Sequence, residues 1–357
     1  MSLKFKDLNI GGLIIDLPLI QGGMGVRVSN SSLVSAVSNE GALGVIAAVG
    51  LGEEGDEIGT NYVERSRSAF IKSIQETRKL TQKPFGVNIM CALGNYDDLV
   101  NAAQEENVDV IISGAGLPLK LPSLVKNTKT KLVPIVSSGR AAYIICSAWQ
   151  RRYKRLPDAI VVEGPLAGGH LGYSLEELND SEGFNLDKIL KEVLATVKAF
   201  ETNEHKIPVI AAGGIFDGKD IARVMNLGAS GVQMATRFVC TNECDVSIKY
   251  KEVYLAAKEE DIIIIKGPVG MPGRVINSEF VRRINSGEKM DSCKYRRCLV
   301  TCDPTKVNYC IAKALLNAAR GEMDKGFAMA GHNAHRIDKI VSVKELITEL
   351  VAEVRKA

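Results

Sequence analysis

The stretch IPVIAAGGIFDGKDIARVMNLGASGVQMATRF, residues 207–238, decides the fold. Pro208–Ala212 is a short apolar run that stops at Gly213 and Gly214. DGKDIARVMNLG then has helical spacing and ends at Gly228, a residue type that favours helix C-termini. A second apolar run follows at Gly231–Ala235. Strands that are apolar on both faces and alternate with helices belong to a parallel sheet covered on both sides. The same rhythm recurs toward the N-terminus. Strands are expected at Leu17–Gln21, Leu43–Ala48, Phe85–Met90, Val108–Ser113, Leu132–Val136 and Ala159–Glu163. Between them, Ser29 or Asn30 caps a helix that stops at Gly41, a polar helix covers Glu64–Leu80, and another carries Trp149. Eight near-regular strand–helix units match the size of a (β/α)8 TIM barrel. A doubly wound sheet is the alternative; it ranks second because eight such units, apolar on both faces, suit closure.

Past residue 240 the rhythm stops. We expect residues 1–240 to form the barrel and 241–300 a small accessory or lid region. Residues 301–357 should form C-terminal helices that pack back on the barrel, near Asn308–Arg320 and Val343–Lys356. KGPVGMPGRV, Lys266–Val275, reads as a glycine–proline loop, either a closing flap or a linker.

Bulk composition excludes several classes. The 357 residues are 46% hydrophobic and 24% charged, with a net charge of +3, which is ordinary for a globular protein. The densest basic cluster, RRYKR at Arg151–Arg155, reads as a solvated helix end, so no nucleic-acid partner is expected. DIIIIK and GALGVIAAVGLG are too short or too glycine-rich to span a membrane. The N-terminus lacks the apolar segment of a signal peptide, and eight cysteines without one read as reduced thiols, so a cytoplasmic protein is expected.

In such barrels the active site lies at the carboxyl ends of the strands. The residues there include Gly22, Gly23, Met24, Asn88, Glu163, Gly213, Gly214, Met234, Ala235 and Thr236. Small residues let backbone amides approach a flat ligand or a phosphate. Loops after strands seven and eight frequently bind phosphate; glycine amides donate to the oxygens and a helix N-terminus adds a favourable dipole. The chain has neither a Walker lysine nor a strand-linked G-x-G-x-x-G with a downstream acid. One phosphate, small residues and a side-chain amide suit flavin mononucleotide, FMN. In VVEGPLAGGHLGY, Val161–Tyr173, Gly168 and Gly169 precede His170, one of only four histidines. Imidazole titrates near neutrality and suits proton transfer. The bland reading is a loop histidine bonded to a backbone carbonyl. Glu163 is an alternative acid–base group, or it orients the loop or fixes ribityl hydroxyls.

The segments PLIQGGMG, FGVNIM, GAGLPLKLP, EGPLAGGHLG, IPVIAAGGIFDG and GVQMATRF, in this order over residues 15–240, resemble the nitronate monooxygenase (2-nitropropane dioxygenase) family. Its relatives include the flavin-dependent enoyl-acyl-carrier-protein reductases. The resemblance implies an FMN-dependent (β/α)8 barrel with a small second domain. It places the backbone of Gly22, Gly23 and Met24 beside the isoalloxazine ring and the Asn88 amide on the flavin. It gives the phosphate to Gly213, Gly214, Ala235 and Thr236, and sets His170 facing the substrate as the catalytic base or its positioner. Gly331 and Asn333 are second-rank candidates near the flavin.

The tail holds Cys293, Cys298, Cys302 and Cys310 spaced C-x4-C-x3-C-x7-C. No C-x2-C pair is present, so buried thiols are favoured over a metal or cluster, and no metal is expected. His332 and His335, three apart, would share one face of a helical turn. Three functions compete. The first is oxidation of alkyl nitronates to carbonyl compounds and nitrite with O2. The second is NAD(P)H-dependent reduction of an enoyl thioester. The third is an NAD(P)H:quinone reductase or a flavin- or metal-binding protein without turnover. The partner is in each enzyme reading a small molecule; a homodimer is left open.

Overall fold

The computed structural model describes residues 6–52, 61–180, 183–268, 270–290 and 298–357. After a hairpin of β1 (Leu8–Ile10) and β2 (Leu13–Ile15), the barrel strands are β3 (Leu19–Gln21), β4 (Gly44–Ala47), β5 (Phe85–Met90), β6 (Val110–Gly114), β7 (Lys131–Val136) and β8 (Ile160–Glu163). A two-residue strand β9 (Gly169–His170) leaves the barrel before β10 (Val209–Ala212) and β11 (Gly231–Met234) complete it. These eight barrel strands are all parallel and hydrogen-bond in the order β3-β11-β10-β8-β7-β6-β5-β4. The seam between β3 and β4 is closed by Leu43 N donating to Leu19 O and Gln21 N donating to Leu43 O, both 2.9 Å. The expected strands are therefore all present, with ends moved by a residue or two.

Two apolar layers result. Ile20, Leu43, Val45, Val110, Ile112, Val133, Val161 and Ile210 point inward and fill the barrel. The alternate residues, such as Ile46, Val87, Ile111, Val162 and Val232, face the surrounding helices. Burial on both faces is why these strands read as continuous apolar runs rather than alternating ones.

The hairpin was not anticipated. Gly11 and Gly12 both have positive φ, 55° and 93°, which the tight turn between β1 and β2 requires. Its Leu8, Ile10 and Ile15 join the inward cluster and plug the amino-terminal mouth of the barrel. The accessory stretch also holds more strand than its composition indicates. β12 (Ile262–Lys266) pairs antiparallel with β13 (Pro272–Ile276), and β13 pairs with β9. The reading of Lys266–Val275 as a loop is thus corrected: Pro272–Val275 is the central strand of a three-stranded sheet. DIIIIK, too short for a membrane, is β12; among the described residues no helix is long and apolar enough to cross one.

The C-terminal helix Val343–Lys356 begins in a capping box of Ser342 and Glu345. It returns to the barrel through Gly218 N donating to Glu353 Oε2, 2.7 Å, and an Arg237–Glu349 ion pair at 2.9 Å. The plug predicts a measurable cost. Ile10, fully buried, should lose about 2–5 kcal/mol on substitution by alanine in urea unfolding. A change near zero would mean that the hairpin does not seal the barrel.

Candidate active site

Every barrel strand runs the same way, so their carboxyl ends share one rim. Gly22, Gly23, Met24, Asn88, Glu163, Gly168, Gly169, His170, Gly213, Gly214, Met234, Ala235 and Thr236 line a single cavity there. The structure brings all of them together from segments distant in sequence.

The loops after β10 and β11 form one side. Gly213 and Gly214 have φ of 85° and 86°, a left-handed pair that a side chain would strain. The Asn333 amide donates to Gly214 O at 2.9 Å, so Asn333 supports the turn from behind and does not itself line the cavity. Gly331 does line it, and its N–H donates to Thr236 Oγ1 at 3.0 Å, leaving the Thr236 O–H to donate elsewhere. The first N–H groups of the helix Gly218–Asn226 have partners within the chain. Asp217 caps it, accepting from Lys219 N and Asp220 N, and Glu353 takes Gly218 N. That helix end is already neutralised from within the chain.

His170 is a strand residue, paired with Gly273 of β13, rather than a free loop residue. The backbone on both sides is fixed: Leu171 N donates to Pro272 O at 2.8 Å. Its ring lines the cavity, and its Nε2 is buried with no hydrogen-bond partner among the described residues. The reading of a histidine satisfied by a backbone carbonyl therefore does not describe Nε2. Burial lowers the imidazole to about 4, so it is neutral at pH 7. Glu163, at the end of β8, lines the same cavity and is pushed by burial up to about 7. Tyr173 Oη donates to the Glu163 carbonyl at 2.5 Å and fixes the start of the loop.

Several lining residues escaped sequence reasoning. Gln233, on β11, is half-buried, and its Oε1 is a buried atom with no partner among the described residues. The signal was available: it is the polar residue of an apolar strand and sits beside Gly22. Tyr250, Tyr254, Leu299, Ile311, Leu315 and Met329 add an apolar wall from beyond the barrel. Leu299 is held over the cavity by Gly94 N donating to Cys298 O at 3.1 Å and Val300 N to Ala92 O at 2.9 Å. These residues belong to segments whose place follows only from tertiary packing.

Cys298 lines the cavity, Cys310 is buried, Cys302 is half-buried, and Cys293 lies outside the described residues. Among the described residues no three His, Cys, Asp or Glu side chains gather as a metal site. His332 and His335 sit on a 3-10 turn, where His335 Nδ1 bonds His332 O at 3.0 Å.

Glu163 gives a stability test with a definite sign. Its folded value of about 7 lies above the ordinary 4.5, so the native protein loses stability as pH rises through that window. Glu163→Gln removes the titration. Thermal melts should show the variant gaining on the parent between about pH 5 and pH 8; a constant difference would mean that the carboxyl is hydrated.

Comparison with known proteins agrees with this architecture. The model of the nitronate monooxygenase family matches residues 7–106 and 94–353. FabK from Thermotoga maritima is 32% identical, with a TM-score of 0.74 over 95% of this chain and 93% of that one. A Mycobacterium tuberculosis (3aS,4S,5R,7aS)-5-hydroxy-7a-methyl-1-oxo-octahydro-1H-indene-4-carboxyl-CoA dehydrogenase is 31% identical over 275 residues, 77% of this chain and 67% of its own length. A Staphylococcus aureus protein named probable nitronate monooxygenase is 29% identical over 302 residues, 77% of this chain and 79% of its own. The chain is an oxidoreductase of the nitronate monooxygenase family.

Proposed function

We propose that the protein is an FMN-dependent nitronate monooxygenase, which oxidises alkyl nitronates to carbonyl compounds and nitrite with O2. One observation carries the reading: a neutral histidine with an unpartnered, buried ring nitrogen lines a cavity floored by glycines and two amide side chains. The residues fit the flavin. The buried, unpartnered Gln233 Oε1 needs a donor, and a ring N–H of the isoalloxazine is one. Asn88 offers a second amide, and the Gly22–Met24 backbone lies beside it. Gly213, Gly214, Ala235 and the Thr236 hydroxyl would hold the phosphate. Bound FMN would supply the electron transfer and the reaction with O2.

The chain itself handles the proton and the exclusion of water. A neutral nitroalkane is a carbon acid, and His170 Nε2 would take the proton from the carbon next to the nitro group. A substrate that arrives as the nitronate needs no such step, and His170 would then anchor its nitro group. Leu93, Leu299, Ile311 and Leu315 would cover the alkyl part and keep water out.

A second reading is favoured by that same wall. It is apolar, as an acyl chain requires, and one relative is named as acting on a carboxyl-CoA. The reaction would be NAD(P)H-dependent reduction of an enoyl thioester.

Nitrite release from 2-nitropropane and from propyl-2-nitronate in air separates these readings. His170→Asn should keep its flavin yet lose about 10²-fold or more in kcat/KM on the neutral nitroalkane, with a smaller loss on the nitronate. The acid limb of the parent's kcat/KM on the nitroalkane should fall near pH 4 rather than 6.5, because only the neutral imidazole accepts a proton. Parent protein that releases no nitrite but consumes NADPH with an enoyl thioester would overturn the proposal.

A further inference from the structure

Arg274 is nearly fully buried, at 5% exposure, although arginine is rarely buried without an acid partner. Among the described residues no carboxylate lies within ion-pairing distance of it. Its Nη1 instead donates to Pro165 O and Ala167 O, both at 2.6 Å. Those two carbonyls belong to the loop between Glu163 and His170. The same residue's backbone is paired with Gly169, and its neighbour Gly273 with His170. Its carbonyl accepts Ala330 N at 3.2 Å, which ties in the segment bearing Gly331. That segment presses on the loop, since a Cβ on Gly168 would lie 2.5 Å from Gly331 N.

We infer that Arg274 is a positioning residue for His170, gripping two carbonyls of the 164–168 loop from behind and setting where the imidazole projects into the cavity. The inference rests on His170 meeting the substrate. Both bonds leave one NH2 group, Nη1, whose two N–H are held at fixed angles in the guanidinium plane; a lysine ammonium is a point donor on a flexible stem. The loop is thereby fixed at four places: Glu163 in β8, the two gripped carbonyls, and the β9–β13 pairing. Burial is what holds the His170 imidazole down, so a loop released from Arg274 would let water reach the ring and raise its midpoint. The other titratable residues lining the cavity are Tyr62, Cys298, Glu163 at the end of β8, and the pair Tyr250 and Tyr254 on the helix Ile248–Ala256. His332 lies behind the loop, with its N–H on Leu166 O at 3.1 Å. Burial raises Tyr250 and Tyr254 above the ordinary phenol value, which keeps this pair uncharged.

The test is a histidine titration by NMR on 13C-histidine-labelled full-length protein, with His170→Asn to assign the resonance. In the parent, His170 should titrate near 4. In Arg274→Met its midpoint should climb toward 6.5, and nitrite release should fall by about 10²-fold with the flavin retained. Arg274→Lys keeps the charge but loses the planar NH2 group. A smaller rise and partial recovery of kcat are expected there, and that rise reports the lost grip alone. If Arg274→Met does not fold, Arg274→Lys decides by the same two readouts. An unmoved His170 midpoint, with activity lost only in proportion to folded protein, would overturn the inference. A moved midpoint in a protein that never releases nitrite would leave the positioning role standing and remove the nitronate reading instead.

Discussion

The structure depends on closing the barrel between its first two strands, and Gln21 makes that closure. β3 is only three residues long, and the backbone ladder to the next strand is correspondingly short. Where it runs out, the fully buried Gln21 side chain takes over: Oε1 accepts Val45 N at 3.0 Å and Nε2 donates to Ser29 Oγ at 2.9 Å. A closed sheet has no edge strands and leaves no backbone groups unpaired at a seam. It also forces all eight strand ends onto one rim. Loops at residues 22–24, 163–170, 213–214 and 234–236 meet only because of that closure.

The cavity inverts the usual order of proton affinity. In water a carboxylate is a weaker base than imidazole. Here burial raises Glu163 to about 7 and lowers His170 to about 4, with desolvation the cause in both. Between those limits the carboxyl holds the proton and the imidazole does not. One group can then donate and the other accept in the same cavity, which is the separation of roles that acid–base chemistry requires. Binding a flat ligand over both would deepen the effect by removing more water.

The barrel was legible in the sequence because burial on both faces leaves a strong local mark, an apolar run bounded by glycine. The rim followed from the fold, since strand ends can be counted. What was hidden is long-range. The β1–β2 hairpin has three-residue strands, too short for any periodicity to register. β9 is two residues long and exists only because β13, a hundred residues later, lies beside it. The GPVGMPGR segment therefore read as a loop, although its last three residues begin the central strand. Arg274 gave no signal either: its partners are backbone carbonyls, which carry no residue identity. Gln233 was readable and overlooked, a lone polar residue on an inward-facing position of an apolar strand.

The central claim is that the rim holds a flavin whose oxidised form takes electrons directly from a nitronate beside His170. An anaerobic visible spectrum of the purified protein, titrated with propyl-2-nitronate in one cuvette and with NADPH and then NADH in another, tests it most directly. The account predicts oxidised flavin bands that bleach with the nitronate and persist with either nicotinamide. Bleaching by a reduced nicotinamide alone would contradict the nitronate assignment, and a colourless protein that takes up no FMN would contradict the flavin site itself.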